Sequence, residues 1–285
     1  RRMWLALGFK SEEGREEGLA YNFSPKGSIG KDPYWGDRPN TSVFDPVLCE
    51  CSYRWFSPEN PDHGGPPRVL DPFCGGSVRG IVAALTGRDY IGFDLRPEQV
   101  AENQHQWLKM DQDAMGEASE PQWYAGDSTQ LTRHLTYLGQ GEPGRYDMIF
   151  SCPPYYDLET YSDDPADISN MTWEDFLVSY RRIIQQACYH LANDRFAVWV
   201  VSAVRDKKGL CRGFVSETVR AFADAGLALY NDAILLNSAG TAPVRATASL
   251  QATRKMTRVH QNVLVFYKGN PKAIKPNFGP VTMGG

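Results

Sequence analysis

The chain has 285 residues, 42% of them hydrophobic and 22% charged, an ordinary balance for a globular protein, and no apolar run approaches the roughly 20 residues needed to cross a bilayer. A formal net charge of −4 excludes a uniformly basic nucleic-acid coat, so basic patches must be sought segment by segment. Six scattered cysteines (Cys49, Cys51, Cys74, Cys152, Cys188, Cys211), with no CxxC pair and no His at zinc-ligand spacing, argue against a metal site. They fit the reduced thiols of a cytoplasm better than a disulfide framework.

The opening "RRMWLALGFKSEEGREEG" lacks the apolar length and small-residue cleavage site of a secretory signal. Starting on Arg rather than Met, it reads as a processed product or a piece of a longer chain. Residues 1–42 are expected to form an N-terminal arm; 11–42 are rich in Gly, Pro, Asn, Asp and charge, and Tyr34 and Trp35 are candidates to pin them. A helix is predicted from Asp45 through Phe56. After the turn-rich "NPDHGGPP", strands and helices alternate: strand "RVLD", helix "SVRGIVAALTG", strand "YIGFD", helix "RPEQVAENQHQWLKM", strand "QWYAGD". Strand "YDMIFS", helix "WEDFLVSYRRIIQQACYHL", strand "RFAVWVVS" and helix "FVSETVRAFADAGL" follow. Strands "ALYNDAILL" and "QNVLVFYKG" close the series without an intervening helix, so one of the two is expected to run antiparallel. This alternation specifies a doubly wound, mostly parallel sheet in one domain over 43–268, followed by a tail over 269–285.

Ligands of such sheets bind outside the carboxyl ends of the strands. Strand one ends in "DPFCGGS", where Gly75 and Gly76 allow close backbone approach and Asp71 disfavours a pyrophosphate. Strand two ends at Asp94, 23 residues after Asp71, where an acid commonly accepts from ribose hydroxyls. Strand three ends in Asp127-Ser128, placed to accept from an adenine amino group. Three acids in register suit a cationic nucleoside carrying an amino acid, S-adenosylmethionine. The competing reading is that each Asp only caps the following helix.

With "DPFCGGS" at 71–77 and "PPYYD" at 153–157, the chain resembles the S-adenosylmethionine-dependent DNA methyltransferases related to the adenine-N6 and cytosine-N4 enzymes, over roughly residues 43–268. The resemblance implies a Rossmann-like class I methyltransferase fold, seven-stranded with an antiparallel closing strand. It also implies that Asp71, Phe73 and Gly75 surround the cofactor, that Asp94 binds its ribose and Asp127 its adenine, and that part of "PYWGDRPNTSVFDP" touches it as well. Pro153, Pro154 and Tyr155 would shape the slot for a flipped base, with Tyr155 stacking on it. Double-stranded DNA is the implied partner, and the cytoplasm of a bacterial, archaeal or phage-infected cell the implied setting.

Cys152 departs from the family pattern, which places Asp, Asn or Ser before Pro-Pro-Tyr to accept from the target amino group; a thiol is a weak acceptor. Methylation of cytosine C5 instead requires a nucleophile at C6, a role a thiolate fills well. The sequence reading therefore prefers a cytosine-C5 methyltransferase with Cys152 as nucleophile, and keeps open amino methylation (cytosine N4, then adenine N6) with Cys152 as a packing residue. An inactive DNA-binding subunit and an enzyme acting on RNA or protein also remain open. The C5 route needs an acid and a base, for which Asp157 and Glu159 are the nearest candidates, and Ser151 is the nearest hydroxyl for amino chemistry. The loop "DLETYSDDPADISNM" is expected to close over the base. DNA contact is expected from a basic loop over 237–260 carrying Arg245, Arg254, Lys255 and Arg258, seconded by Arg205, Lys207, Lys208 and Arg212. No large target-recognition domain is evident, which predicts a short recognition sequence, or help from a partner or from a missing N-terminal region.

Overall fold

The computed structural model describes Trp4 and residues 44–110, 115–116, 118–158, 161–236 and 242–281, the side chains of 242–245 excepted. The strands are β1 (Arg68–Asp71), β2 (Asp89–Asp94), β3 (Gln122–Ala125), β4 (Tyr146–Ser151), β5 (Leu191–Val201), β6 (Ala228–Leu236) and β7 (His260–Lys268). They form one seven-stranded sheet in the order β3-β2-β1-β4-β5-β7-β6. Pairing is parallel from β3 across to β5, and β7 runs antiparallel to both β5 and β6. This is the Rossmann-like, doubly wound methyltransferase sheet that the sequence implied.

Successive strand residues point to opposite faces, so each central strand feeds two cores. On one face Val69, Met148, Phe150, Phe196, Val198 and Val200 meet helices α1 (Pro46–Phe56), α2 (Val78–Leu85) and α3 (Pro97–Lys109). On the other, Leu70, Ile149, Ala197, Trp199 and Val201 meet α4 (Leu131–Tyr137), α5 (Trp173–His190) and α6 (Phe214–Asp224). Burial on both faces explains why β4 and β5 read as near-continuous apolar runs. Phe176, Tyr180, Trp199, Phe214 and Phe222 are fully or almost fully buried, and each apolar side chain removed from water contributes about 1.5–3 kcal/mol. Trp199 Nε1 donates to Tyr180 Oη at 2.8 Å, so that the aromatic stack between β5 and α5 leaves neither polar atom orphaned.

The helix starts follow local chemistry. Asp45 accepts from Val47 N at 2.9 Å, with Pro46 in the first turn of α1. Thr172 accepts from Asp175 N at 3.2 Å at the start of α5. Among the described residues no helix is long and apolar enough to cross a membrane.

Two expectations are corrected. The closing strands are joined through a helix, α7 (Ala242–Thr253), within the stretch expected to be a loop. "APVRATASLQAT" has no apolar period to signal a helix, but its alanines, arginine, leucine and glutamine are strong helix formers. Helix α4 was also not anticipated; its seven residues are too few to establish a period. The arm lies outside the described residues except for Trp4, which is buried and donates from Nε1 to Glu50 Oε2 at 2.7 Å.

Candidate functional site

A cavity of about 530 Å³ opens at the carboxyl ends of β1 to β4, where the strand order reverses between β1 and β4. Its wall takes in Phe73, Gly75, Asp94, Asp127 and Ser128 on one side and Cys152, Pro153, Pro154 and Tyr155 on the other. The two motifs, some 80 residues apart in sequence, thus become walls of one space.

The loop after β1 is built to be close and rigid. Gly92 in β2 is required there: a Cβ at that position would lie 2.6 Å from Cys74 Cβ and 2.7 Å from Tyr90 Oη. Asp94 accepts from Gly75 N at 3.1 Å and from Arg96 N at 2.9 Å, so one carboxylate ties the glycine loop to the start of α3. Asn103 Nδ2 donates to Gly75 O at 2.7 Å, and Ser128 Oγ donates to Pro72 O at 2.6 Å. Asp127 accepts from Thr129 N at 2.8 Å and Thr129 Oγ1 at 2.6 Å, which realises the capping role while leaving it on the cavity wall.

Asp71 is placed differently. It is fully buried beneath the loop and is not among the residues lining the cavity. It accepts from Arg79 Nε at 2.6 Å, Tyr90 Oη at 2.8 Å, Ser151 Oγ at 2.5 Å and Phe73 N at 3.1 Å. Its charge is therefore compensated inside the protein, and it supports the glycine loop from below. Ser151 points the same way, buried and bound to Asp71, so its hydroxyl does not face the cavity. Arg79 was missed by the sequence reading, although a lone arginine in the apolar "VRGIVAAL" was a usable sign. Burial by itself would lower its pKa, but the Asp71 carboxylate, with Tyr90 and Cys152, holds it well above the ordinary arginine value. The guanidinium also donates to the carbonyls of Phe73 and Cys74, which fixes the turn of the glycine loop.

Cys152 is half-buried on the cavity wall, its Sγ 3.4 Å from Tyr155 Oη. The Tyr155 ring meets Phe214 edge-on at 6.4 Å. Asp157 lies in the short turn Tyr156–Leu158 and does not line the cavity, and Glu159 falls outside the described residues. Tyr156 has φ 57, a costly conformation for a tyrosine; its ring is held among Trp173, Phe176 and the Arg212 guanidinium. The acidic loop does reach the site. Tyr161, Ser162, Asp167 and Ile168 line the cavity, and Asp167 fixes the loop by accepting from Ser162 N and Ser169 N, each at 2.9 Å. Arg96 Nη1 contacts Tyr161 O at 3.4 Å across the opening. Of "PYWGDRPNTSVFDP", Phe44 and Asp45 line the cavity and residues 33–43 lie outside the described residues.

Of the predicted basic residues, Arg254 and Arg258 are exposed and Lys255 is half-buried; the side chain of Arg245 is outside the described set. Lys255 packs on Gly209, which brings the two basic runs together after β5.

No family model matches the chain, and no curated protein does. Among solved structures it is similar to TrmN from Thermus thermophilus, with TM-score 0.47 and 17% identity over 78% of this chain and 48% of that one. The chain therefore spans about half the length of TrmN. It is also similar to magnesium protoporphyrin IX methyltransferase from Synechocystis PCC 6803 (TM-score 0.43, 14% identity, 72% and 71% covered). A SAM-dependent methyltransferase from Methanosarcina mazei gives TM-score 0.46 at 12% identity, with 71% and 92% covered. At such identities the likeness is one of strands and helices, and function has to be argued from the site.

Proposed function

We propose that the protein is an S-adenosylmethionine-dependent DNA methyltransferase that acts on the exocyclic amino group of an extruded base, cytosine N4 before adenine N6. The observation that carries this reading is the shared cavity. A donor held at the ends of β1 to β3 would face a planar group held at the end of β4, since both ends line one cavity. The residues fit both: Asp94 and Asp127 offer acceptors for hydroxyl and amino groups, Phe73 an apolar surface, and about 530 Å³ is within the range of small-molecule pockets. The donor, when bound, supplies an electrophilic methyl group. Pro153 and Pro154 have no N–H to repel an amino group, which leaves the Cys152 carbonyl to accept one of its hydrogens. The Tyr155 ring supplies a stacking face. The exposed cations after β5 and in 254–258 supply phosphate contacts.

This reverses the sequence preference for C5, for a physical reason. The C5 route needs a carboxylic acid at ring N3 and a base for the C5 proton. Among the described residues Asp157 does not line the cavity, and Asp45, Asp94, Asp127 and Asp167, which do, are each held by backbone N–H groups of their own turns; Glu159 lies outside the described residues. One observation favours the C5 reading as the second: Cys152 does line the cavity.

The test is to incubate duplex DNA with S-adenosylmethionine, digest it to nucleosides and resolve the methylated bases by mass spectrometry, with Cys152→Ala in parallel. N4-methylcytosine or N6-methyladenine, formed by both proteins, is the expected outcome. 5-Methylcytosine that vanishes with Cys152→Ala would establish the second reading, and unmodified DNA alongside methylated RNA or protein would reject both.

A further inference from the structure

Resting on the DNA reading above, we infer that Leu210 is a wedge that enters the base stack and fills the gap left by the extruded base. Between β5 and α6 the chain forms a tight hairpin. Arg205 and Cys211 pair as an antiparallel bridge, and Arg212 N donates to Val204 O at 2.9 Å. Across the turn, Asp206 N donates to Leu210 O at 2.9 Å, Gly209 N to Asp206 O at 2.8 Å and Leu210 N to Asp206 Oδ1 at 2.8 Å. Arg205 Nη1 donates to Gly209 O at 2.8 Å. Gly209 has φ 87, the left-handed region that favours glycine, and the end of the Lys255 side chain lies where a Cβ would stand.

The foot of this hairpin stands on the catalytic motif. Arg212 lies 4.9 Å over the ring of Tyr156 and 4.9 Å over that of Trp173, while Phe214 meets Tyr155. Its tip faces solvent: Lys207 and Lys208 are exposed, and Leu210 is 65% exposed, next in sequence to Gly209, against which Lys255 lies. A lone exposed leucine is ordinary on a protein surface. A leucine in a turn fixed by four hydrogen bonds, in a segment that carries Arg205, Lys207 and Lys208 and is rooted beside the slot that would receive the base, is a different object. The lysines neutralise phosphates on either side of the target, and the apolar side chain replaces stacking that extrusion removes. No bond is made or broken in this role; it lowers the cost of holding the base out of the helix.

The experiment compares wild type, Leu210→Ala and Leu210→Phe on a duplex the wild type methylates, and on the same duplex with the target placed opposite an abasic site. A 2-aminopurine at the target position reports extrusion by its fluorescence. Leu210→Ala is expected to lose about tenfold or more in transfer to the paired duplex and to recover most of it opposite the abasic site, where the base is already unpaired. Leu210→Phe is expected to retain both activity and the fluorescence rise. Wild-type rates for Leu210→Ala on the paired duplex, or an equal loss on both duplexes, would overturn the wedge while leaving DNA methylation intact. A wild type that methylates neither duplex would remove the DNA reading itself.

Discussion

At the scale of single residues, the site depends on where carboxylates are spent. Asp94 and Asp127 stay on the cavity wall even as they accept backbone N–H bonds, whereas Asp71 is consumed by the interior. Its partners come from β2, β4 and α2, so one carboxylate pins three elements beneath the glycine loop. Removing one partner of a buried ion pair leaves the other uncompensated, at a cost of about 3–5 kcal/mol. Asp71→Asn, nearly isosteric, should therefore lower the urea midpoint by a corresponding amount with little change in slope. A loss under about 1 kcal/mol would mean that Arg79 finds compensation elsewhere and that Asp71 acts mainly on the ligand. Cys152 answers a different question, since it lines the cavity with its Sγ beside Tyr155 Oη while the oxygen of Ser151, one residue earlier, faces the core. Strand alternation makes that choice, turning Ser151 into the core and leaving Cys152 on the cavity side.

At the scale of elements, the junction between α5 and β5 is tied by a histidine. His190 is fully buried; its Nδ1 donates to Glu142 O at 3.1 Å and its Nε2 accepts from Thr132 Oγ1 at 3.1 Å, which is the neutral ring. Burial pushes its pKa down. The unfolded chain therefore takes up this proton first, so the stability the neutral ring contributes is complete above the unfolded pKa of about 6.5 and is lost as pH falls below it. The melting temperature of the wild type should fall more steeply between about pH 7 and about pH 5 than that of His190→Gln. Parallel curves would show that the ring does not couple folding to protons. The same junction is hard to see in the sequence, because α5 runs directly into β5 with no turn residue between them. Helix α7 was hidden for the opposite reason, its propensity being high but its pattern flat.

At the scale of the whole molecule, the parallel strands aim their carboxyl ends at one side of the sheet, and the reversal of order between β1 and β4 opens the cavity there. A ligand that binds only the folded cavity must stabilise the whole domain by mass action. S-adenosylhomocysteine at about a hundred times its Kd should contribute about 2.7 kcal/mol and raise the melting temperature by about 5 to 10 °C. Asp94→Ala should abolish most of that shift, and an unshifted wild type would remove the proposed cofactor. The strand and helix alternation, the antiparallel closing strand and the positions of both motifs were legible in the sequence, because apolar period, turn residues and strand-end acids are local signals. Leu210 and Arg212 were legible only as part of a basic run, and the acidic loop only as a cover of unknown contacts. By itself the sequence determined the doubly wound sheet and which residue types stand at its strand ends. Which acids stay open to a ligand, which cysteine face meets the cavity and which hairpin stands on the Pro-Pro-Tyr turn were decided by tertiary packing, since each depends on partners tens of residues away that no local pattern encodes.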